Sequence, residues 1–126
     1  MSERRPRVLL ADDYAGILTA LRRLLEPSCD VVGCVEDGMT LVDATAKLKP
    51  DVVVVDLAIP RLNGLEACRR IKHDTPETKV VILTATDDAA TTEMAYSLGA
   101  SAFVVKYSGA DELLGAINRA FRGESR

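Results

Sequence analysis

The sequence predicts an α/β domain in which a five-stranded parallel sheet carries helices on both faces. Two observations predict it. Short apolar runs alternate five times with helix-period segments along the 126 residues, and one run, Val52-Val53-Val54-Val55, is apolar on both faces. Strand and helix in regular alternation imply parallel pairing with right-handed crossovers, and a strand apolar on both faces belongs in the middle of such a sheet. The composition agrees, with 48% hydrophobic residues but only 4% aromatic, which suits β-branched strands under Ala/Leu-rich helices. The length fits one domain spanning residues 1–126.

Met1 to Pro6 is polar and arginine-rich and reads as a flexible end, with Arg4, Arg5 and Arg7 as a small basic patch. Val8 to Ala11 is a short apolar run that ends in Asp12-Asp13. From Tyr14 to Glu26 the apolar residues Ile17, Leu18, Leu21, Leu24 and Leu25 recur with helical spacing, Arg22 and Arg23 take the outer face, and Pro27 closes the helix. Asp30 to Val35 is the second strand, and Gly38 opens a helix carrying Leu41, Val42, Thr45 and Leu48 before Pro50.

The valine run ends in Asp56, and Pro60 and Gly64 follow as breakers, so this carboxylate stands at the carboxyl end of a central strand, where open α/β sheets hold their ligands. The next helix, Gly64 to His73, turns Leu65, Cys68 and Ile71 inward and Arg69, Arg70 and Lys72 outward. Lys79 to Thr84 is the fourth strand. Asp88 to Leu98 is an Ala/Thr-rich helix ended by Gly99, and its low apolar content makes it a candidate mobile element. Ser101 to Val105 is the fifth strand, followed by Lys106. The last helix, Ala110 to Arg122, packs Leu113, Leu114, Ile117 and Phe121; Gly123 ends it, and residues 123–126 read as a tail or the start of a linker.

Charge and cysteines narrow the classes of function. A formal charge of -3 supplies no basic field for nucleic acid or an anionic membrane, and no long apolar span or secretory signal occurs. Cys29, Cys34 and Cys68 lack metal-type spacing, and His73 is the only histidine, which argues for reduced thiols in a cytoplasmic protein rather than a zinc site.

Strand ends one, three, four and five offer Asp12-Asp13, Asp56, Thr84 and Lys106 along one edge of the sheet. Each also has a plain structural reading: an acid can cap the next helix, Thr84 can cap its own loop, and a strand-end lysine can be solvated. Together they describe a pocket. Three close carboxylates raise one another's pKa unless a cation joins them, and hard oxygen donors with open positions favour Mg²⁺ completed by water and phosphate. No activated serine or cysteine, histidine base or glycine-rich phosphate loop supports other chemistry. A carboxylate nucleophile for phosphoryl transfer is left, with Lys106 and Thr84 suited to neutralise phosphoryl oxygens.

The acid pair, the D-x-x-x-P-x-x-N-G segment from Asp56 to Gly64, Thr84 and Lys106, in this order over five strands, resemble a bacterial two-component response-regulator receiver domain from about Arg7 to Arg122. The resemblance implies a flavodoxin-like (βα)5 sheet with strand order 2-1-3-4-5. It implies that Asp56 is the phosphoacceptor, charged by a phosphohistidine on a sensor histidine kinase. Asp13, Asp56 and the backbone carbonyl of Ala58 would then hold Mg²⁺, with Asp12 acting mainly through water. Lys106 would pair with the phosphoryl group, or with Asp56 before phosphorylation, and Thr84 would hydrogen-bond a phosphoryl oxygen. Phe103 would be the switch aromatic, with an ordinary core aromatic as the alternative. The fourth helix, fifth strand and fifth helix would form the readout face.

Two departures from the family carry expectations. Tyr107 stands where the family usually has a cis proline, so that bond is either trans or strained. Small Ala58 and Thr86 flank the acceptor and imply a labile phosphoryl group. The segment around Asp56 and the ending Ala120-Phe121-Arg122-Gly123-Glu124-Ser125 are similar to NarL/FixJ-type regulators, which implies transcription regulation through a C-terminal helix-turn-helix domain outside this chain and dimerisation on phosphorylation. The chain itself would catalyse only its own phosphorylation and dephosphorylation. The alternative is a stand-alone receiver acting by docking or phosphorelay. A haloacid-dehalogenase-like hydrolase is disfavoured by Leu57-Ala58 after Asp56, and a flavodoxin by the acids after the first strand.

Overall fold

A computed structural model of the chain describes residues 4–124. Strands and helices alternate as β1 (Arg7–Ala11), α1 (Ala15–Leu25), β2 (Asp30–Val35), α2 (Gly38–Leu48), β3 (Val52–Asp56), α3 (Gly64–Asp74), β4 (Lys79–Thr84), α4 (Ala89–Ser97), β5 (Ala102–Val105) and α5 (Ala110–Phe121). All strand pairs are parallel and the order is β2-β1-β3-β4-β5. The predicted architecture and strand order are therefore both present.

The valine run shows why β3 is central. Val52 and Val54 face α1 and α5, where they meet Leu18, Leu25, Leu113 and Ile117, whereas Val53 and Val55 face α2, α3 and α4 and meet Leu41, Cys68, Ile71 and Ala95. The alternation of side chains along a strand divides one apolar run between two cores. All four valines are buried, and each contributes about 1.5–3 kcal/mol relative to an exposed position.

Register sets the functional edge. Ala11 pairs with Val55, Asp56 with Leu83, and Thr84 with Val105, so β1, β3, β4 and β5 end close to one level. The residues just past those ends must converge.

Several boundaries and orientations differ from expectation. Arg4 to Pro6 is not a loose end: Arg4 grips Asp51 with two hydrogen bonds and lies 5.2 Å from the Phe121 ring centroid. Arg5 donates to the Glu26 and Cys29 carbonyls, and Pro6 is buried, its carbonyl accepting from Asp30. The remainder of the expected flexible end, residues 1–3, and residues 125–126 of the tail lie outside the described residues. Tyr14 is the N-cap of α1 rather than its first residue, and Ser101 precedes β5, its N–H on Val80 O at 2.8 Å.

Lys72 is half-buried instead of outward. Its ammonium donates to the carbonyls of Pro76 at 2.7 Å and Thr78 at 2.8 Å, which satisfies the turn into β4. Arg22 likewise leaves the outer face to donate to Cys34 Sγ at 3.6 Å. The three cysteines are free thiols. No helix among the described residues is long and apolar enough to cross a membrane.

Candidate functional site

Asp12 follows β1 directly, and its carboxylate accepts from the Tyr14 N–H at 3.0 Å, which turns the chain into α1. Asp13 is exposed beside it. Asp56 ends β3 and is buried, as is Asp12. One carboxylate oxygen from each of Asp12, Asp13 and Asp56 lies within 4.8 Å of the others. Lys106 reaches this cluster from β5, because its N–H on Thr84 O at 2.7 Å continues the strand pairing past Val105. Its ammonium lies 3.1 Å from Asp12 Oδ2 and 3.1 Å from Asp56 Oδ1.

The electrostatics follow from burial and contact. Burial pushes the Asp56 carboxyl above its ordinary value; the hydrogen bond and charge of Lys106 pull it down, the charge of Asp12 pushes it up, and the Ala58 N–H pulls it down, with a net rise. For Lys106 burial acts downward, but hydrogen bonds to Asp12 and Asp56 outweigh it and hold the ammonium above its ordinary value. The lysine is thus a fixed cation between two acids.

The donor set suits a hard divalent cation. Three carboxylates converge, one of them on the solvent side at Asp13, which leaves positions for water or for oxygens of a ligand, the arrangement Mg²⁺ prefers. Neither sulfur nor imidazole joins them among the described residues.

Thr84 is buried at the end of β4, with its hydroxyl turned onto its own loop: it donates to Thr86 O at 2.9 Å and accepts from Thr86 N at 3.2 Å. This is the loop-capping alternative. Phe103 pairs with Ile82 across the sheet and is half-buried against the α2/α3/α4 core. The Lys106–Tyr107 peptide is trans, as is every described bond, and the Tyr107 side chain is exposed.

Ala58 is exposed in the loop between β3 and α3. Leu57 N–H on Leu83 O at 2.8 Å, Ile59 N–H on Asp56 O at 3.2 Å and Gly64 N–H on Leu57 O at 2.9 Å shape this loop, and buried Ile59 anchors it. A further tie was missed in the sequence. Gly38, read there only as a helix opener, donates its N–H to Pro60 O at 3.1 Å, and Asp37 lies 3.5 Å from Arg61. The Asp37-Gly38 pair was a signal for a tight helix start but carried no sign of its partner.

Comparison with known proteins agrees with this geometry. A family model described as response regulator receiver domain matches residues 8–118. The chain is 31% identical to the transcriptional regulatory protein DegU of Brevibacillus brevis, over 98% of this chain and 53% of that protein. It is 34% identical to the protein-glutamate methylesterase/protein-glutamine glutaminase of Thermotoga maritima, over 100% of this chain and 40% of that protein. The chain spans about half the length of the curated relatives it matches. Among solved structures, the signal receiver domain of the putative response regulator NarL from Mycobacterium tuberculosis is similar with a TM-score of 0.92 at 26% identity, over 97% of this chain and 100% of that one.

Proposed function

Because the chain belongs to the response regulator receiver domain family, we propose that it is a phosphorylation-dependent switch whose Asp56 accepts a phosphoryl group from a phosphohistidine on a sensor histidine kinase. Receivers of this family are signalling domains of two-component response regulators, many with a DNA-binding output. The observation that carries the reading is the placement of Lys106 Nζ at 3.1 Å from both Asp12 and Asp56 beside a third carboxylate.

Receiver domains typically bind Mg²⁺ at such an acidic pocket, and here Asp12, Asp13 and Asp56, with the Ala58 carbonyl, are the groups that would hold it. Bound there, the ion supplies positive charge against the carboxylates and the phosphoryl oxygens. Asp56 is the nucleophile: one carboxylate oxygen forms a bond to phosphorus as the P–N bond breaks, and that electron pair returns to the donor imidazole. Lys106 leaves Asp56 for a phosphoryl oxygen. Thr84 gives up its bond to Thr86 and donates to another, and Phe103 moves with it. Water later cleaves the acyl phosphate, and small Ala58 and Thr86 leave it room to do so. Catalysis here is confined to the domain's own phosphorylation and dephosphorylation.

The similarity to the transcriptional regulatory protein DegU supports an output in transcription; a DNA-binding domain joined after residues 123–126 and dimerisation on phosphorylation are the form of output that this reading expects. On the same family grounds the protein works in the cytoplasm. The test is intact mass after incubation with acetyl phosphate and Mg²⁺, beside Asp56→Asn and an EDTA control. A single phosphoryl addition lost in both controls is expected. Addition that persists in Asp56→Asn would overturn the assignment.

A further inference from the structure

The loop that carries Ala58 is held at its far side by α2, an element that gives no residue to the acidic pocket. Gly38 N–H donates to Pro60 O at 3.1 Å. The contact leaves no room for a side chain, since a Cβ on Gly38 would sit 1.8 Å from Leu62 O and 2.7 Å from the Leu62 carbonyl carbon. Glycine is required by this close approach of two backbones, not by a positive φ. Next to it, Asp37 caps α2 by accepting from Thr40 N at 2.8 Å and also lies 3.5 Å from the Arg61 guanidinium. Arg61 has φ +68°, a conformation an arginine adopts only when its surroundings impose it.

The other end of the loop is fixed by Leu57 on β4, and Gly64 closes it on Leu57. The segment between is short. A displacement at Pro60–Leu62 therefore passes to Ala58, two residues before Pro60. From this we infer that Gly38, supported by Asp37 and Arg61, is a positioning residue for cation binding: the N-terminus of α2 sets where the Ala58 carbonyl stands relative to Asp56. The inference rests on the reading of Asp56 and Ala58 given above. Groups that orient metal ligands from outside the ligand shell commonly carry a large share of affinity.

Gly38→Ala tests it, with Arg61→Gly as a second variant that tolerates the positive φ while deleting the ion pair. Mg²⁺ binding is measured by titration calorimetry, and the rate of phosphorylation by acetyl phosphate is measured against Mg²⁺ concentration. In Gly38→Ala the Mg²⁺ dissociation constant and the half-saturating concentration should both rise about tenfold. The maximal rate at saturating Mg²⁺ should stay within about twofold of wild type, because excess ion restores the loop. Arg61→Gly should shift both constants in the same direction by less, since the Arg61 side of the ion pair is exposed. A variant that only loses folded protein would show a lower maximal rate with unchanged half-saturation, and that result would overturn the inference. So would wild-type Mg²⁺ affinity in folded Gly38→Ala, or in Arg61→Gly should Gly38→Ala not fold. Failure of the wild-type protein to bind Mg²⁺, or wild-type affinity in Asp56→Asn, would overturn the pocket reading as well, so the two failures are separable.

Discussion

Two of the loops that border the acidic pocket, those after β3 and β4, and the helices they lead into, are built differently. The loop from Asp56 to α3 is tied to β4, to α2 and to itself, and α3 buries Gly64, Ala67, Cys68 and Ile71. Asn63 caps α3 through the Glu66 N–H at 3.0 Å. The loop from Thr84 to α4 is exposed from 85 to 88, the Thr84 hydroxyl bonds only to the Thr86 backbone, and α4 buries one residue, Ala95. One side is tied to three parts of the fold; the other buries little and is capped largely by its own bonds. The proposed switch would need both, because a phosphoryl group can shift a population only where two arrangements differ by a few kcal/mol, and the group itself needs a fixed seat.

The largest expected effect tests that difference directly. Ile71→Ala, in the buried face of α3, should cost about 2–5 kcal/mol in urea unfolding, whereas Met94→Ala on exposed α4 should stay within about 0.5 kcal/mol. Equal losses would mean that α4 is packed as firmly as α3.

Asp56→Asn sharpens the picture of the seat itself. The folded protein raises the Asp56 pKa above the ordinary 3.8, so stability tied to its proton is full below 3.8 and is lost as pH rises through the raised value. At neutral pH the wild-type carboxylate therefore weakens the fold. In metal-free buffer the asparagine variant should melt at a higher temperature at neutral pH, with the gap closing on acidification. A lower melting temperature at neutral pH would show that the Lys106 contacts outweigh the cost of burial.

The smallest effect is at the surface of α3. Glu66 is held at about 2, below its ordinary 4.5, first by the hydrogen bond from Arg69 and then by Arg70, with burial acting in the opposite direction. A depressed carboxyl contributes stability above 4.5 that is lost as pH falls towards about 2. Glu66→Gln should lower the melting temperature slightly at neutral pH and not at all at the acid end; a constant difference across the range would assign the effect to helix propensity instead.

By itself the sequence determined the order and kind of the ten elements, because hydrophobic period and the breakers Pro27, Pro50, Gly99 and Gly123 act locally. It also determined that Asp12, Asp13, Asp56, Thr84 and Lys106 would share an edge, since parallel strands of similar length bring their carboxyl ends together. Strand order came only through family resemblance; periodicity reports which face of a helix is apolar, not which face of the sheet it covers. Tertiary structure decided the rest. Arg4 met Asp51, and Lys72 folded back onto Pro76 and Thr78, because unpaired carboxylates and carbonyls offered more to a long side chain than solvent did. Thr84 took its own loop, and Gly38 met Leu62 across twenty-four residues of chain. Such contacts join positions whose local patterns are independent, so only the closed fold brings them together.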